Sequence, residues 1–116
     1  MLETARGHLA DAEKKDLKAG GRFLLVYTAA HKLALTALRL QGYRSEDRIT
    51  VFQTIVHTLS SDHRNDVRIF LKAHSDRNLS EYEGHLEVDD RFLDELIACT
   101  KSLEKAVAKL DPPTGD

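Results

Sequence analysis

Apolar residues recur every three or four positions along most of this chain, the spacing of amphipathic helices. No stretch shows the strict alternation of a strand, and both prolines follow the last helical pattern. The sequence therefore predicts an all-α fold, an antiparallel up-and-down bundle of four principal helices plus one shorter or split helix. Residues 1–110 are expected to form a single domain, and residues 111–116 a disordered tail.

The first two helices are separated by a pair of glycines. The first is predicted over Leu2–Leu17, with Gly20 and Gly21 ending it, because glycine suits a helix C-terminus and a turn. The second is predicted from Arg22 to Gln41, with Gly42 as its stop. The apolar stripe of the first helix consists of Leu2, Ala5, Leu9 and Ala12.

The second helix is unusually apolar, since thirteen of the eighteen residues from Phe23 to Leu40 are hydrophobic. One buried stripe does not need so many, so this helix is expected at the centre of the bundle or against a partner chain. His31, Lys32 and Arg39 interrupt the run and argue against a membrane span. Because the N-terminus also shows no signal-peptide pattern, a cytoplasmic protein without a membrane partner is predicted.

The third helix is predicted to begin at Ser45 as N-cap, with Glu46 and Asp47 in its first turn. Its buried face is predicted to carry Ile49, Phe52, Val56 and Leu59. A break is expected at residues 60–62, where two serines and an aspartate follow one another.

The fourth helix is predicted from His63 to Ser80 or beyond, ended by Gly84, and the last helix from Asp89 or Asp90 to Leu110. The stripe of the fourth helix comprises Val67, Phe70, Leu71 and His74, and Asn78 continues it by one step. The inner face of the last helix comprises Phe92, Leu96, Thr100, Leu103 and Val107.

The net charge and the single cysteine limit which ligands and which reactive groups the sequence can be expected to offer. The net charge is −2, so any RNA contact has to rest on a local basic cluster rather than on a global field. Cys99 is the single cysteine and is expected to be a buried, unreactive thiol.

No metal site or cofactor is predicted: the spacing of His57, Asp62 and His63 is not specific to a metal. A small basic cluster is interpreted as a solvated helix end and consists of Lys14, Lys15 and Lys18.

The segment Arg77–Gly84 (RNLSEYEG) resembles the signature region of HEPN domains, and Gly21–Ala34 resembles their long second helix. The resemblance extends over roughly Leu9 to Leu110. It implies a small helical bundle that works as a homodimer or beside a nucleotidyltransferase-type protein, in RNA metabolism or a toxin–antitoxin system. Active members carry an arginine, an adjacent polar residue, and a histidine after four to six intervening residues.

In this chain Arg77 and Asn78 match the arginine and its polar neighbour, whereas Tyr82 stands where the histidine is expected. His85 comes after seven intervening residues, one more than the family allows. A second arginine also has a histidine at the family's spacing, namely Arg68 with His74. That pair is discounted because about one such match is expected by accident, and because six helical steps place the two about 240° apart.

Metal-independent RNA cleavage needs a cation at the phosphate and a group that accepts the proton of the 2′-hydroxyl. Arg77 suits the first role. The proton acceptor would be Tyr82, a glutamate or His85, but a tyrosine is ionised only about one part in a thousand at pH 7. The ligand-binding candidates are Arg77, Asn78, His74, Glu81 and His85, and the catalytic ones Arg77, Asn78 and Tyr82.

Three functions stay open at this point. The first is a HEPN-like dimeric module that binds nucleotide or RNA and has lost catalysis. The second is a metal-independent endoribonuclease, in which Arg77 holds the phosphate. The third is a purely structural assembly bundle, in which Arg77, Asn78 and Tyr82 bond across helices and His31 and His74 are satisfied interior histidines.

Overall fold

A computed structural model describes residues 2–14, 17–45, 47–59, 61–84 and 88–110 of the chain. Within these residues the regular structure is helical throughout, which confirms the all-α prediction. The helices are α1 (Leu2–Ala12), α2 (Ala19–Leu40), α3 (Arg48–Gln53), α4 (Ile55–Thr58), α5 (Arg64–Glu83) and α6 (Asp90–Leu110), with a 3₁₀ turn at Ser61–His63.

The central helix is α2, which packs against α1 and α6 on one side and against α3, α4 and α5 on the other. Its buried residues are Phe23, Val26, Tyr27, Ala29, Ala30, Leu33, Ala34, Ala37 and Leu38. Among the described helices, α2 alone is long and apolar enough to cross a membrane, and half of its most apolar window is buried in the bundle. Its central place therefore accounts for its composition.

The junction of α1 and α2 differs from the prediction. Helix α1 ends at Ala12, five residues early, and Gly20 and Gly21 lie inside the first turn of α2 rather than between the helices. The first amides of a helix have no intrahelical carbonyl to bond, so a glycine there costs little. The side chain of Arg22 donates from Nε to the carbonyl oxygen of Ala12 at 2.7 Å, which ties the end of α1 to the start of α2.

The predicted C-terminal glycines of α2 and α5 are confirmed. Gly42 adopts a φ of +85° and Gly84 a φ of +83°, a region that side chains with a Cβ rarely enter. After α2, the amide of Gly42 donates to the carbonyl of Arg39 at 2.9 Å and that of Tyr43 to the carbonyl of Leu38 at 3.2 Å. This bonding pattern is a Schellman motif.

The start and the buried face of α3 are corrected by the structure. Asp47, not Ser45, is the N-cap residue, and its carboxylate accepts a hydrogen bond from the Thr50 hydroxyl at 2.6 Å. Ile49, predicted to be buried, is 41% exposed, and Val51 and Ile55 are buried instead. The helix is interrupted between α3 and α4. Residues that would form one apolar stripe on a continuous helix over 49–59 therefore do not all face the core.

Helices α5 and α6 run antiparallel, since Lys72 contacts the ring of Phe92 whereas Asp66, earlier in α5, bonds to Cys99, later in α6. All five predicted inner residues of α6 are buried. By contrast, the buried residues over 64–80, the part of α5 whose side chains the structure describes, are only Val67, Phe70 and Ala73. The second half of α5 therefore presents polar side chains towards α2 and α3.

Candidate functional site

A hydrogen-bonded cluster joins α2, α3 and α5 around the side chain of Tyr27. The ring of Tyr27 is fully buried, and its hydroxyl lies 2.8 Å from Nδ1 of His74. One turn further along α5, the amide nitrogen of Asn78 lies 3.1 Å from Nε2 of the same histidine. Both ring nitrogens of His74 are therefore engaged, as the prediction of a satisfied interior histidine required.

Two guanidinium groups approach the same tyrosine. Arg48, the first residue of α3, donates from Nη1 to the Tyr27 hydroxyl at 3.3 Å. The central guanidinium carbons of Arg48 and Arg77 each lie 5.7 Å from the centroid of the Tyr27 ring. An aromatic ring attracts cations to its face at this range, so both guanidinium groups lie beside the same ring.

The bonding pattern fixes where the proton of His74 lies. Arg77 donates to Oδ1 of Asn78 at 3.5 Å, so the Asn78 amide turns its nitrogen towards the histidine. Nε2 of His74 is then an acceptor, and the proton of the neutral ring sits on Nδ1, from which it is donated to Tyr27. Burial, followed by the charges of Arg48 and Arg77, lowers the pKa of His74 and favours this neutral form.

His31 extends the cluster along α2, one turn after Tyr27. Its ring packs edge-on against Phe52 at a centroid distance of 5.9 Å. Burial lowers the pKa of His31 to about 4, and the charges of Arg48, His74, Arg77 and Lys32 act in the same direction. Within the described part of the chain, its ring nitrogens make no hydrogen bond. It is thus a neutral base at pH 7 that faces a cationic environment.

The electrostatic balance of this site differs from that of the whole chain. The protein has a net charge of −2, yet two arginines and Lys32 act on His31 with the same sign. Among the described residues, the one carboxylate that acts on His74 is Asp47, which is exposed and already accepts the hydroxyl of Thr50. That hydrogen bond lowers the pKa of Asp47 and keeps it ionised. Among the side chains that the structure describes, positive charge therefore exceeds negative charge around the two histidines, and such an excess suits an anionic ligand.

The structure brings together some of the predicted residues. Arg77, Asn78 and His74 form one cluster. The side chains of Glu81 and Tyr82, and all of His85, lie outside the part of the chain that the structure describes. Arg68 is exposed, so the discounted pair does not share the environment of His74.

Sequence reasoning missed Tyr27 and Arg48. Tyr27 carried a usable signal, because this tyrosine and His31, one turn apart, are the two aromatic polar residues of a mostly apolar run. Arg48 carried none, since its contact with Tyr27 depends on how α3 folds back on α2.

The remaining candidates have ordinary partners. His63 lies 3.0 Å from the carboxylate of Asp66, and no group of metal-binding side chains occurs among the described residues. Lys14 forms an ion pair with Asp11 at 3.1 Å. Cys99 is half-buried, and burial together with a hydrogen bond to Asp66 raises its pKa to about 12.

Comparison with known proteins adds no relative to this picture: no protein-family model, no curated protein and no solved structure matches the chain.

Proposed function

We propose that the cluster around Tyr27 binds the phosphate group of a nucleotide or of RNA. The observation that carries this proposal is the convergence of Arg48 and Arg77 on one tyrosine ring, each at 5.7 Å. A guanidinium grips phosphate through paired hydrogen bonds, and two guanidinium groups lie beside this one ring. The resemblance to HEPN domains, which rests on Arg77 and Asn78, points to the same class of ligand and stays a prediction.

The histidines supply the neutral part of the site. His31 and His74 both have lowered pKa values, so neither adds a competing positive charge at pH 7, and each ring offers hydrogen bonds. His74 is held by Tyr27 and Asn78 and serves to position Asn78. His31 makes no such bond within the described residues and is the group available to a ligand.

Binding is tested by titrating the protein with inorganic phosphate and with a short oligouridine, followed by amide and histidine ring shifts in NMR. Arg77→Ala and Arg48→Ala should each weaken binding about tenfold or more, because each removes a charge-assisted hydrogen bond. Arg68→Ala is the matched control, since it deletes the same charge from an exposed position of α5.

Equal losses for Arg68→Ala and Arg77→Ala would mean diffuse electrostatic attraction and would contradict the proposed site. An absence of shifts at residues 27, 31, 74 and 78 with either probe would leave the structural-bundle reading in its place.

His31 favours one further activity, metal-independent RNA cleavage. As a neutral base it would accept the proton of the 2′-hydroxyl, whose oxygen attacks the adjacent phosphorus. The bond from phosphorus to the 5′ oxygen then breaks, the proton held by His31 passes through a water molecule to the leaving oxygen, and a 2′,3′-cyclic phosphate remains. Arg48 and Arg77 would stabilise the charge that develops on the phosphoryl oxygens.

Cleavage is tested with single-stranded RNA in the presence of a chelator. Wild type should release cyclic phosphate ends, whereas His31→Ala should be slower by about two orders of magnitude, the usual contribution of a general base. Asn78→Ala, which leaves His31 in place, should lose less. Equal rates for wild type and His31→Ala would exclude this activity while leaving phosphate binding intact.

A further inference from the structure

A cavity of about 480 Å³ lies where α3 and α4 pack beside the C-terminal end of α2. Its volume is within the range of sites that hold small organic ligands. One lining residue, Leu38, is almost fully buried and provides an apolar floor. The others are polar or aromatic, and none of the lining residues that the structure describes is acidic. The cavity therefore suits a ligand group that combines an apolar face with polar edges.

The aromatic residue of this cavity is Tyr43. It is 64% exposed, more than any other bulky apolar residue that the structure describes. Its backbone position is nevertheless fixed, because its amide donates to the carbonyl of Leu38 at 3.2 Å and so closes the Schellman motif that ends α2. An aromatic ring that is held in place and open to solvent is the kind of platform on which unpaired bases stack.

The side chains around Tyr43 match the other surfaces of a base. Gln41 and His57 line the cavity and are exposed, and the amide of the first and the ring nitrogens of the second can bond to the polar edge of a base. Arg44, the next residue after the tyrosine, also lines the cavity. Its guanidinium can stack on a base or bond to a phosphate of the same strand.

The cavity and the cluster around Tyr27 lie on opposite sides of α3. Arg48 bonds to Tyr27, whereas Thr50 lines the cavity, and two residues turn an α-helix by about 200°. Asp47 links the two sides, because its charge acts on His74 and its carboxylate accepts the hydroxyl of Thr50. A ligand that fills both sites passes the start of a helix about 10 Å wide, a path that suits a strand of two or more nucleotides.

We infer that the cavity beside Tyr43 binds an unpaired base of the strand whose phosphate lies at the cluster around Tyr27. This inference rests on the proposed function and adds to it the form of the ligand, a single strand rather than a mononucleotide or a duplex. The base stacks on Tyr43 and turns its polar edge towards Gln41 and His57. A base inside a duplex is paired and stacked between its neighbours, so it cannot enter the cavity.

The experiment compares two single strands of equal length, a short oligouridine and an abasic strand with the same ribose phosphates. Wild type should bind the oligouridine at least about tenfold more tightly, because only that strand has a base to stack. Tyr43→Ala should weaken oligouridine binding about tenfold and leave binding of the abasic strand unchanged. Tyr43→Phe, whose ring still stacks, should stay near the wild-type affinity for both strands.

Leu40→Ala is the matched control, since it shortens another exposed side chain at the end of α2 that does not line the cavity. All three variants should keep the wild-type circular dichroism, because both positions are exposed and the Schellman motif uses only the backbone of Tyr43. Equal affinity of wild type for the two strands would overturn the inference. So would unchanged oligouridine binding by Tyr43→Ala, or an equal loss with Leu40→Ala.

Inorganic phosphate separates this inference from the proposed function. In NMR, phosphate should shift the signals of His31 and His74 and leave Tyr43 and His57 unchanged, whereas oligouridine should shift all four. A response to phosphate at the two cluster histidines, without any oligouridine shift at Tyr43 and His57, would overturn the base site alone. The reverse pattern would overturn the phosphate site and keep the base site. No response to either probe would overturn both.

Discussion

The two sides of α2 follow different rules of packing. On one side α6 buries an almost purely apolar face, and its buried polar residue, Thr100, donates to the carbonyl of Leu96 within the same helix at 2.7 Å. On the other side α5 buries few apolar residues and turns His74, Arg77 and Asn78 towards Tyr27. The first arrangement stabilises a bundle at little electrostatic cost. The second concentrates cations and hydrogen-bonding groups around Tyr27.

The largest loss of stability should follow from truncating a buried side chain on the apolar side of α2. Leu103→Ala removes a fully buried side chain from α6 and should cost about 2–5 kcal/mol of the free energy of unfolding, through lost burial and the cavity left behind. The measurement is urea unfolding followed by circular dichroism. The folded fraction should still bind phosphate as wild type does.

Its control is Ser102→Ala, the exposed neighbour on the same helix, which should stay within about 0.5 kcal/mol of wild type. A Leu103→Ala protein that is folded but no longer binds phosphate would contradict the separation of the two sides.

The next effect comes from the hydroxyl of Tyr27. Tyr27→Phe keeps the ring but leaves Arg48 and His74 without their shared partner, which should cost about 1–3 kcal/mol of stability. Thr100→Val is the matched change on the apolar side and should cost less, because the Leu96 carbonyl still accepts the backbone amide of its own helix. Equal losses in urea unfolding for the two variants would mean that the polar side is not a special network.

The same contrast explains what the sequence predicted well. Periodicity located five of the seven buried residues of α6, because its inner face is almost purely apolar and the helix is unbroken. The glycines that end α2 and α5 were predictable from their special backbone conformation. Each of these features is decided by neighbours along the chain.

What the sequence did not predict depends on contacts between distant elements. The contact of Arg48 with Tyr27 joins residues 21 apart, and that of Tyr27 with His74 joins residues 47 apart. Ile49 was predicted to be buried because the interruption between α3 and α4 has no glycine or proline to mark it. The arginine and asparagine of α5 were singled out as a pair from the sequence, whereas their setting beside a buried tyrosine came only from the fold.

A smaller effect is expected in the titration of His31. Its pKa should be about 4 in the folded protein against about 6.5 in the unfolded chain. A folded-state pKa that is lowered favours the neutral ring, so the stability from His31 is complete above pH 6.5 and is lost as the pH falls from 6.5 towards 4. Histidine ring signals in NMR measure this pKa directly, and His31→Gln should flatten that part of the stability profile.

An anion in the site should reverse part of this shift. Sulfate, whose charge is constant over this pH range, should raise the pKa of His31 because it offsets the charges of Arg48 and Arg77. The ring signals of His57, which is exposed and outside the cluster, should not respond to sulfate and serve as the internal reference. An unchanged His31 pKa at saturating sulfate would place the anion elsewhere.

The smallest effect is expected in the alkylation of Cys99, which lies on α6, whereas His31 belongs to the polar cluster. Its pKa is raised to about 12 by burial and by Asp66, so at pH 8 almost none of it is the reactive thiolate. Iodoacetamide should leave wild type unmodified in mass spectrometry. Ala98→Cys/Cys99→Ala, which moves the thiol to the exposed neighbouring position, should be alkylated at the rate of a free cysteine. Rapid alkylation of wild type would mean that α6 opens readily near Cys99. It would contradict the view that the apolar side of α2 is tightly packed.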